Sequence, residues 1–87
     1  MSEIINEKVS VLSFYDRNKG TALPIKLFWQ GRAYKIKQVG YHWPARLGRK
    51  LVHNYCVVTE NNTSFKLVHD TETLHWTLEE VIDEFAA

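Results

Sequence analysis

The sequence predicts a mostly β (α+β) domain, in which five to six strands form a curled antiparallel sheet or a small open barrel and one short C-terminal helix follows. Hydropathy alternates with period two over most of the 87 residues, and the alternating runs end at turn residues. Near the C-terminus the spacing changes to that of a helix. Strands followed by a single helix favour a sheet that curls around one core, with the helix at an end or on a face.

Five runs show the strand pattern. They are residues 8–15, 23–30, 33–43, 51–60 and 63–70, and a short extended segment follows at 74–76. The connections between them carry Gly20, Gly31 or the pair Asn61-Asn62, which are typical of loops and hairpin turns. Strands joined in this consecutive way predict a β-meander.

The alternation changes phase within the third run. Tyr34 and Ile36 are large residues at even positions, whereas the later large residues of the run stand at odd positions. One extra residue in a strand shifts every following side chain to the other face. We therefore predict a β-bulge near Gln38 or Gly40.

The helix is predicted from its capping sequence and its spacing. Thr77-Leu-Glu-Glu80 matches a capping box, in which the threonine hydroxyl and the glutamate carboxylate bind free amides of the first turn. The apolar residues that follow are spaced i, i+3, i+4 and i+7, which places them on one helix face. They are Leu78, Val81, Ile82 and Phe85.

Length and composition indicate one domain over residues 1–87, with residues 1–7 as the segment expected to be disordered. Cys56 is the single cysteine, so no internal disulfide can form. A small chain without disulfides is typical of the cytoplasm, where thiols stay reduced. The sequence has no apolar run long enough to span a membrane and no signal-peptide pattern, so we expect a cytoplasmic protein without a membrane partner.

Charge is segregated along the chain although the net charge is +1. Residues 17–59 contain nine Lys or Arg and no Asp or Glu, and residues 60–87 contain seven Asp or Glu and one Lys. If the fold keeps the two blocks apart, one face of the protein will attract anions.

Catalytic and metal-binding patterns are weak. The candidates are His42, His53, His69, His75 and Cys56, but paired spacings such as C-x-x-C or H-x-x-x-H do not occur. The sequence also lacks a glycine-rich phosphate loop. We therefore predict a protein that is not an enzyme, binds no cofactor and uses its histidines for packing or as surface residues.

The segment at 41–50 favours nucleic-acid binding because it combines aromatic and basic residues with Pro44 and Gly48. Aromatic faces stack on unpaired bases, while Lys and Arg neutralise phosphates. Lys35 and Lys37 extend the basic surface if their strand pairs in register with the strand that carries Lys26. The candidate site residues are Tyr41, Trp43, Arg46, Arg49, Lys50, Lys35 and Lys37.

Two other interpretations of the same residues stay open. Tyr41 and Trp43 could complete the core face of their strand, and the cations of the loop could only solubilise it or pair with acidic residues of the helix. Lysines also protect exposed strand edges. In a second functional class, the protein docks a partner through a sheet edge or through the C-terminal helix.

Three motifs resemble those of a small bacterial domain of unknown function, found alone or at the C-terminal end of Y-family DNA-polymerase-like proteins. The motifs are W-x-G-R-x-Y-x-[IV], F-x-L-x-x-D and W-x-L-x-x-[VI]-x-D, here beginning at Trp29, Phe65 and Trp76. The chain differs from the pattern in its Asn61-Asn62 turn, and no polymerase-like domain precedes the motifs in these 87 residues. The resemblance implies a DNA-repair context, with single-stranded nucleic acid or a repair protein as partner.

The aromatic residues of these motifs are expected in the core. Trp29, Tyr34, Phe65 and Trp76 each fall on the apolar phase of a strand or at the predicted helix entry. Arg32 is expected to pair with Asp70 or Asp83. Monomer and homodimer are both compatible with a sheet that has free edges.

Overall fold

Residues 2–82 are described by the computed structural model, and they form a closed barrel of six antiparallel strands. Each strand pairs with the next one along the chain, and pairing of the first strand with the sixth closes the barrel. The prediction of a mostly β chain that forms a small antiparallel barrel is thus confirmed, but the barrel is closed and not open. The strands are β1 (Ser2–Asp16), β2 (Thr21–Trp29), β3 (Arg32–Leu47), β4 (Lys50–Thr59), β5 (Ser64–Asp70) and β6 (Trp76–Ile82).

The prediction of a C-terminal helix is wrong for the residues that the structure describes. Trp76–Ile82 is strand β6, which pairs with β1 on one side and β5 on the other. In the β5–β6 ladder, Leu67 opposes Leu78 but its neighbour Lys66 opposes Glu80, so one residue of β6 is bulged. This bulge separates the inward residues Leu78 and Val81 by three positions, which imitates helical spacing. The predicted helix residue Phe85 lies outside the described residues.

The N-terminal segment is also part of the barrel. Residues 2–7, where the sequence shows no clear strand pattern, form the beginning of β1. Ser2, Glu3 and Ile4 pair with β6, and a register shift follows between Ile4 and Glu7. Without this segment, residues 80–82 of β6 would form an unpaired edge. The pairing that closes the barrel therefore explains why residues 2–4 form part of a strand.

Side chains from all six strands fill the barrel. Tyr55, Phe65, Leu67 and Leu78 are completely or almost completely buried, and Leu27 joins them from β2. At the end formed by the β2–β3 and β4–β5 turns, Trp29, Tyr34 and Phe65 close the core, with Phe65 edge-on to both other rings. The predicted core positions of Trp29, Tyr34, Phe65 and Trp76 are therefore confirmed.

Two bulges bend β3 and confirm the predicted phase change. The register shifts once between Ile36 and Gln38 and again between Val39 and Tyr41, which places an extra residue at Lys37 and at Gly40. The first shift moves the inward phase to Val39, and the second moves it again by one residue. Tyr41 and Trp43 consequently project to the outside of the barrel.

The contact between β2 and β3 is short. Their ladder covers only Lys26–Trp29 of β2 and Arg32–Lys35 of β3 within residues 2–82. Beyond it the described residues of β2 and β3 do not pair with each other. Pro24 and Pro44 lie outside this ladder, and their cross-strand partners are Ser13 of β1 and His53 of β4.

No helix in residues 2–82 is long and apolar enough to cross a membrane.

Candidate nucleic-acid interface

The outer surface of β3 presents two aromatic rings to solvent. Tyr41 is 73% exposed and Trp43 is 39% exposed. They oppose Cys56 and Asn54 of β4, whose neighbour Tyr55 points into the core. The interpretation that Tyr41 and Trp43 complete the core face is thus wrong, and both rings are open to a ligand.

Trp43 is held in place on this surface. The Lys66 ammonium lies 5.6 Å from the centre of the Trp43 ring, and it also forms a 2.6 Å ion pair with Glu79. The Asn54 side-chain amide donates a hydrogen bond of 3.4 Å to the Trp43 carbonyl oxygen. A ring positioned in this way loses little freedom when a base stacks on its open face.

Three lysines continue the surface toward the β2–β3 end. Lys26 and Lys35 are directly opposite each other in the β2–β3 ladder. Lys37, at the first bulge, donates a hydrogen bond of 2.9 Å to the side-chain oxygen of Asn62. Because β2 and β3 are paired here, these lysines do not protect a free edge. Two like charges directly opposite each other destabilise a sheet, and a bound phosphate would offset that cost.

The predicted loop cations do not gather around the rings. Arg46 has the strand phase of His42, on the face of β3 opposite to Trp43. Arg49 is exposed in the β3–β4 turn. Lys50 forms a 3.0 Å ion pair with Asp70. The candidate residues at 41–50, which are contiguous in the sequence, therefore lie on two different faces of the β3–β4 hairpin.

Asp70 is the centre of a small polar network. The Lys50 ammonium and the backbone amides of Glu72 and Thr73 donate hydrogen bonds to its carboxylate. Lys50 is the main cause that lowers the Asp70 pKa to about 2, and the backbone amides contribute. The predicted Arg32–Asp70 pair is wrong because these residues are at opposite ends of the barrel. Asp83 lies outside the described residues.

The charge segregation of the sequence is preserved in space. The basic residues concentrate on β2, β3 and the loops beside them, whereas the acidic residues after position 60 lie mainly on β6 and the β5–β6 loop. In the closed barrel β3 and β6 are separated by two strands on either side. Within residues 2–82, the ion pair Lys50–Asp70 connects the two blocks, and the pair Lys66–Glu79 lies inside the acidic block.

Sequence reasoning missed a cluster of three histidines. His42, His53 and His69 lie on the inward face of β3, β4 and β5, at the end of the barrel opposite to Phe65. The rings of His42 and His53 are joined by a 2.9 Å hydrogen bond between Nε2 and Nδ1. No short spacing in the sequence brings them together, because strand register alone makes His53 the cross-strand partner of His69.

The histidines are packed against aromatic rings. His42 stacks on Tyr55 at 4.3 Å between ring centres, and His69 stacks on Trp76 at the same distance. Burial lowers the pKa of His42 and of His69, and the charge of His53 lowers both further. Tyr55 donates a hydrogen bond to the Ala22 carbonyl oxygen, and burial raises its pKa to about 12.

Metal-ligand geometry is absent from the part of the chain that the structure describes, and its cysteine is weakly reactive. No three His, Cys, Asp or Glu residues in it are arranged to hold a metal ion. Cys56 is half-buried on the outer face of β4, and burial raises the pKa of its thiol. A thiol with a raised pKa is a poor nucleophile at neutral pH.

Comparison of the chain with protein-family models, with curated proteins and with solved structures gave no match. The resemblance to the small bacterial domain stays a prediction, and the geometry of the barrel carries the functional argument.

Proposed function

We propose that the protein is a nucleic-acid-binding module that uses the outer surface of β3. The observation that carries this proposal is the outward placement of Tyr41 and Trp43 on the strand that also carries Lys35 and Lys37. The segment from Lys35 to Trp43 is about 25 Å long at roughly 3.3 Å per residue. This length accommodates several nucleotides of an extended single strand.

The two residue types act on different parts of the ligand. Tyr41 and Trp43 stack on unpaired bases, with a typical contribution of about 1–3 kcal/mol per base. Lys26, Lys35 and Lys37 neutralise phosphates and make the affinity dependent on salt. Neither type of contact reads a base sequence, so we expect broad binding to single-stranded DNA and RNA in a cytoplasmic, reducing setting. Only the family resemblance supports a repair protein as a partner.

Tyr41→Ala and Trp43→Ala test the stacking contacts. Each substitution should weaken binding of a short single-stranded oligonucleotide by about 5- to 150-fold, because it removes one stacking contact with a base. Fluorescence anisotropy of a labelled oligonucleotide measures the Kd. Phe14→Ala is the matched control, since Phe14 is an exposed aromatic residue on the outside of β1. Equal affinities of all four proteins would exclude the proposed surface.

Salt dependence tests the phosphate contacts in the same assay. Lys35→Gln should reduce the slope of log K against log salt by about 0.7, the value for one phosphate of a single strand. Lys8→Gln, which removes an exposed lysine of β1, should leave the slope unchanged. Lys50 is left intact in this series because its ammonium already pairs with Asp70.

A second function, docking of a protein, is favoured by the outer face of β1 and β2. Leu12, Phe14, Leu23 and Phe28 are each more than 40% exposed on this face, and Phe14 directly opposes Leu23. A contiguous exposed apolar face is typical of an interaction surface. If this face joins two copies of the chain, sedimentation velocity will show a dimer for the wild type and a monomer for Phe14→Ser. A monomeric wild type would leave the nucleic-acid function as the better proposal.

A further inference from the structure

The histidine end of the barrel contains a cavity that the β3 surface does not use. Its volume is about 190 Å³, room for about six water molecules at roughly 30 Å³ each. His53 and His69 line one wall, and the other walls come from the β1–β2 and β5–β6 connections. The lining used in the following argument is Tyr15, Thr21, His53, His69, Thr71 and Leu74.

The imidazoles retain hydrogen-bonding capacity. The bond from His42 occupies Nδ1 of His53 and leaves its Nε2 without a partner among residues 2–82. The His69 ring is stacked on Trp76 and forms no hydrogen bond to any described residue. The Thr71 hydroxyl is already engaged, because it donates to the Leu51 carbonyl oxygen at 2.7 Å. A ligand in the cavity would therefore bind mainly through His53 and His69.

The charged groups around this end favour an anion. The β1–β2 loop contributes Arg17 and Lys19, β3 contributes Arg46, and the β3–β4 turn contributes Arg49. The acidic residues at the same end either already have hydrogen-bonding partners or lie in an exposed loop. Asp16 accepts hydrogen bonds from the backbone amides of Asn18 and Lys19, Asp70 is paired with Lys50, and Glu72 is exposed in the β5–β6 loop.

We propose that the barrel mouth, defined by the cavity between His53 and His69, binds a phosphate monoester or inorganic phosphate together with a proton. The His53 and His69 rings donate N–H hydrogen bonds to the phosphate oxygens, with the proton taken up on His69, and the Thr21 hydroxyl is a further donor. His42 is a positioning residue, because its hydrogen bond fixes the His53 ring. This proposal does not rest on nucleic-acid binding by β3.

Binding is coupled to pH. Burial and the neighbouring His53 lower the pKa of His69, so its ring is neutral at pH 7 without a ligand. A bound anion favours the charged imidazole and raises that pKa. By linkage, the Kd for the phosphate dianion rises about tenfold for each pH unit above the pKa of the group that takes up the proton.

The test is a titration of the full chain with inorganic phosphate, at pH 6.0 and 7.5 and constant ionic strength, followed by NMR of the histidine rings. His53 and His69 signals should move with a common saturable Kd that is tighter at pH 6.0, while exposed His75 should not respond. Sodium chloride at the same ionic strength is the control for screening. The absence of saturable shifts at both pH values, or the same shifts with chloride, would overturn the proposal.

Substitutions locate the site. His53→Gln and His69→Gln should each weaken phosphate binding at least tenfold, and His75→Gln, the matched control, should leave it unchanged. Near-UV circular dichroism confirms that each variant is folded. If either variant does not fold, the wild-type titration still decides the question. Unchanged phosphate binding in folded His53→Gln and His69→Gln would contradict the proposal that these two histidines form the phosphate site.

Oligonucleotides with and without a 5′-phosphate distinguish the source of the phosphate. A preference for the phosphorylated strand that is lost in His53→Gln and kept in Tyr41→Ala assigns the mouth to strand ends. Equal binding of the two oligonucleotides, with phosphate binding retained, assigns it to a free small molecule. Because the phosphate titration involves no β3 contact, failure of the nucleic-acid proposal would not affect its result.

Discussion

At the level of single residues, the bulge at position 40 determines which side chains β3 presents outside the barrel. The bulge at this glycine gives Tyr41 and Trp43 the outward phase, and without it the same two rings would point to the inside of the barrel. The bulge does not need glycine for its backbone angles, since Gly40 does not have a positive φ. Its geometry therefore comes from the pairing of β3 with β4.

Gly40→Ala should consequently be tolerated, whereas Gly31→Ala should destabilise the protein by about 1–2 kcal/mol. A Cβ at position 40 would lie 3.5 Å from the Cys56 carbonyl oxygen, which is an ordinary contact. Gly31 has a φ of +73°, a conformation that is strained for other residues. Urea unfolding of the two variants measures the difference. A larger loss at position 40 than at position 31 would show that the bulge depends on glycine.

At the level of elements, β6 shows how a bulge can give a strand the apolar spacing that is typical of a helix. Glycine-free and capped by a Thr-x-x-Glu motif, the segment satisfies the local rules for a helix. The barrel overrides this preference, because β6 satisfies the backbone groups of two neighbouring strands at once. Local sequence cannot report that gain, which depends on pairing with β1 and β5.

Alanine substitutions in β6 distinguish the strand from the helix. Leu78→Ala should cost about 2–5 kcal/mol, because Leu78 is fully buried. Val81→Ala should cost roughly 1 kcal/mol, since Val81 packs on the core, and Ile82→Ala should stay within about 0.5 kcal/mol. Thermal or urea unfolding measures these values. Equal losses of unfolding free energy for Val81→Ala and Ile82→Ala would instead support the predicted helix, in which both residues lie on the apolar face.

Strand positions were largely predictable, and site geometry was only partly so. The five alternating runs correspond to β1–β5, and the phase change of β3 was visible in the spacing of Tyr34 and Ile36. Aromatic and basic composition pointed to Tyr41 and Trp43. What the sequence could not supply was register, which places Arg46 behind the surface, ties Lys50 to Asp70 and brings three histidines together.

For the whole molecule, the partly desolvated histidines His42 and His69 make stability depend on pH. His42 and His69 have a lower pKa in the folded protein than the ordinary value of 6.5, so the unfolded chain binds more protons in mildly acidic solution. The stability they contribute is complete above about pH 6.5 and is lost as the pH falls toward their folded values. Asp70 acts in another window, between its ordinary pKa of 3.8 and its folded value of about 2.

We therefore expect the free energy of unfolding to decrease as the pH is lowered from 7.5 to 5 in a buffer free of phosphate. The decrease should be smaller in His69→Gln, which removes one of the two groups. His75→Gln is the control, because His75 is exposed in the β5–β6 loop. Urea unfolding at several pH values provides the measurement. If the free energy of unfolding depends on pH in the same way in the wild type and in His69→Gln, His69 does not contribute to the pH dependence.

The β1–β6 ladder has a further consequence for how this domain can be combined with others. Ser2 lies opposite Ile82, so the two ends of the described chain are neighbours. A short peptide could join them, and new ends could be opened at the exposed Asn61-Asn62 turn without breaking a strand. For the same reason the barrel is suited to insertion into a surface loop of a host protein, where it would leave the host's own fold intact.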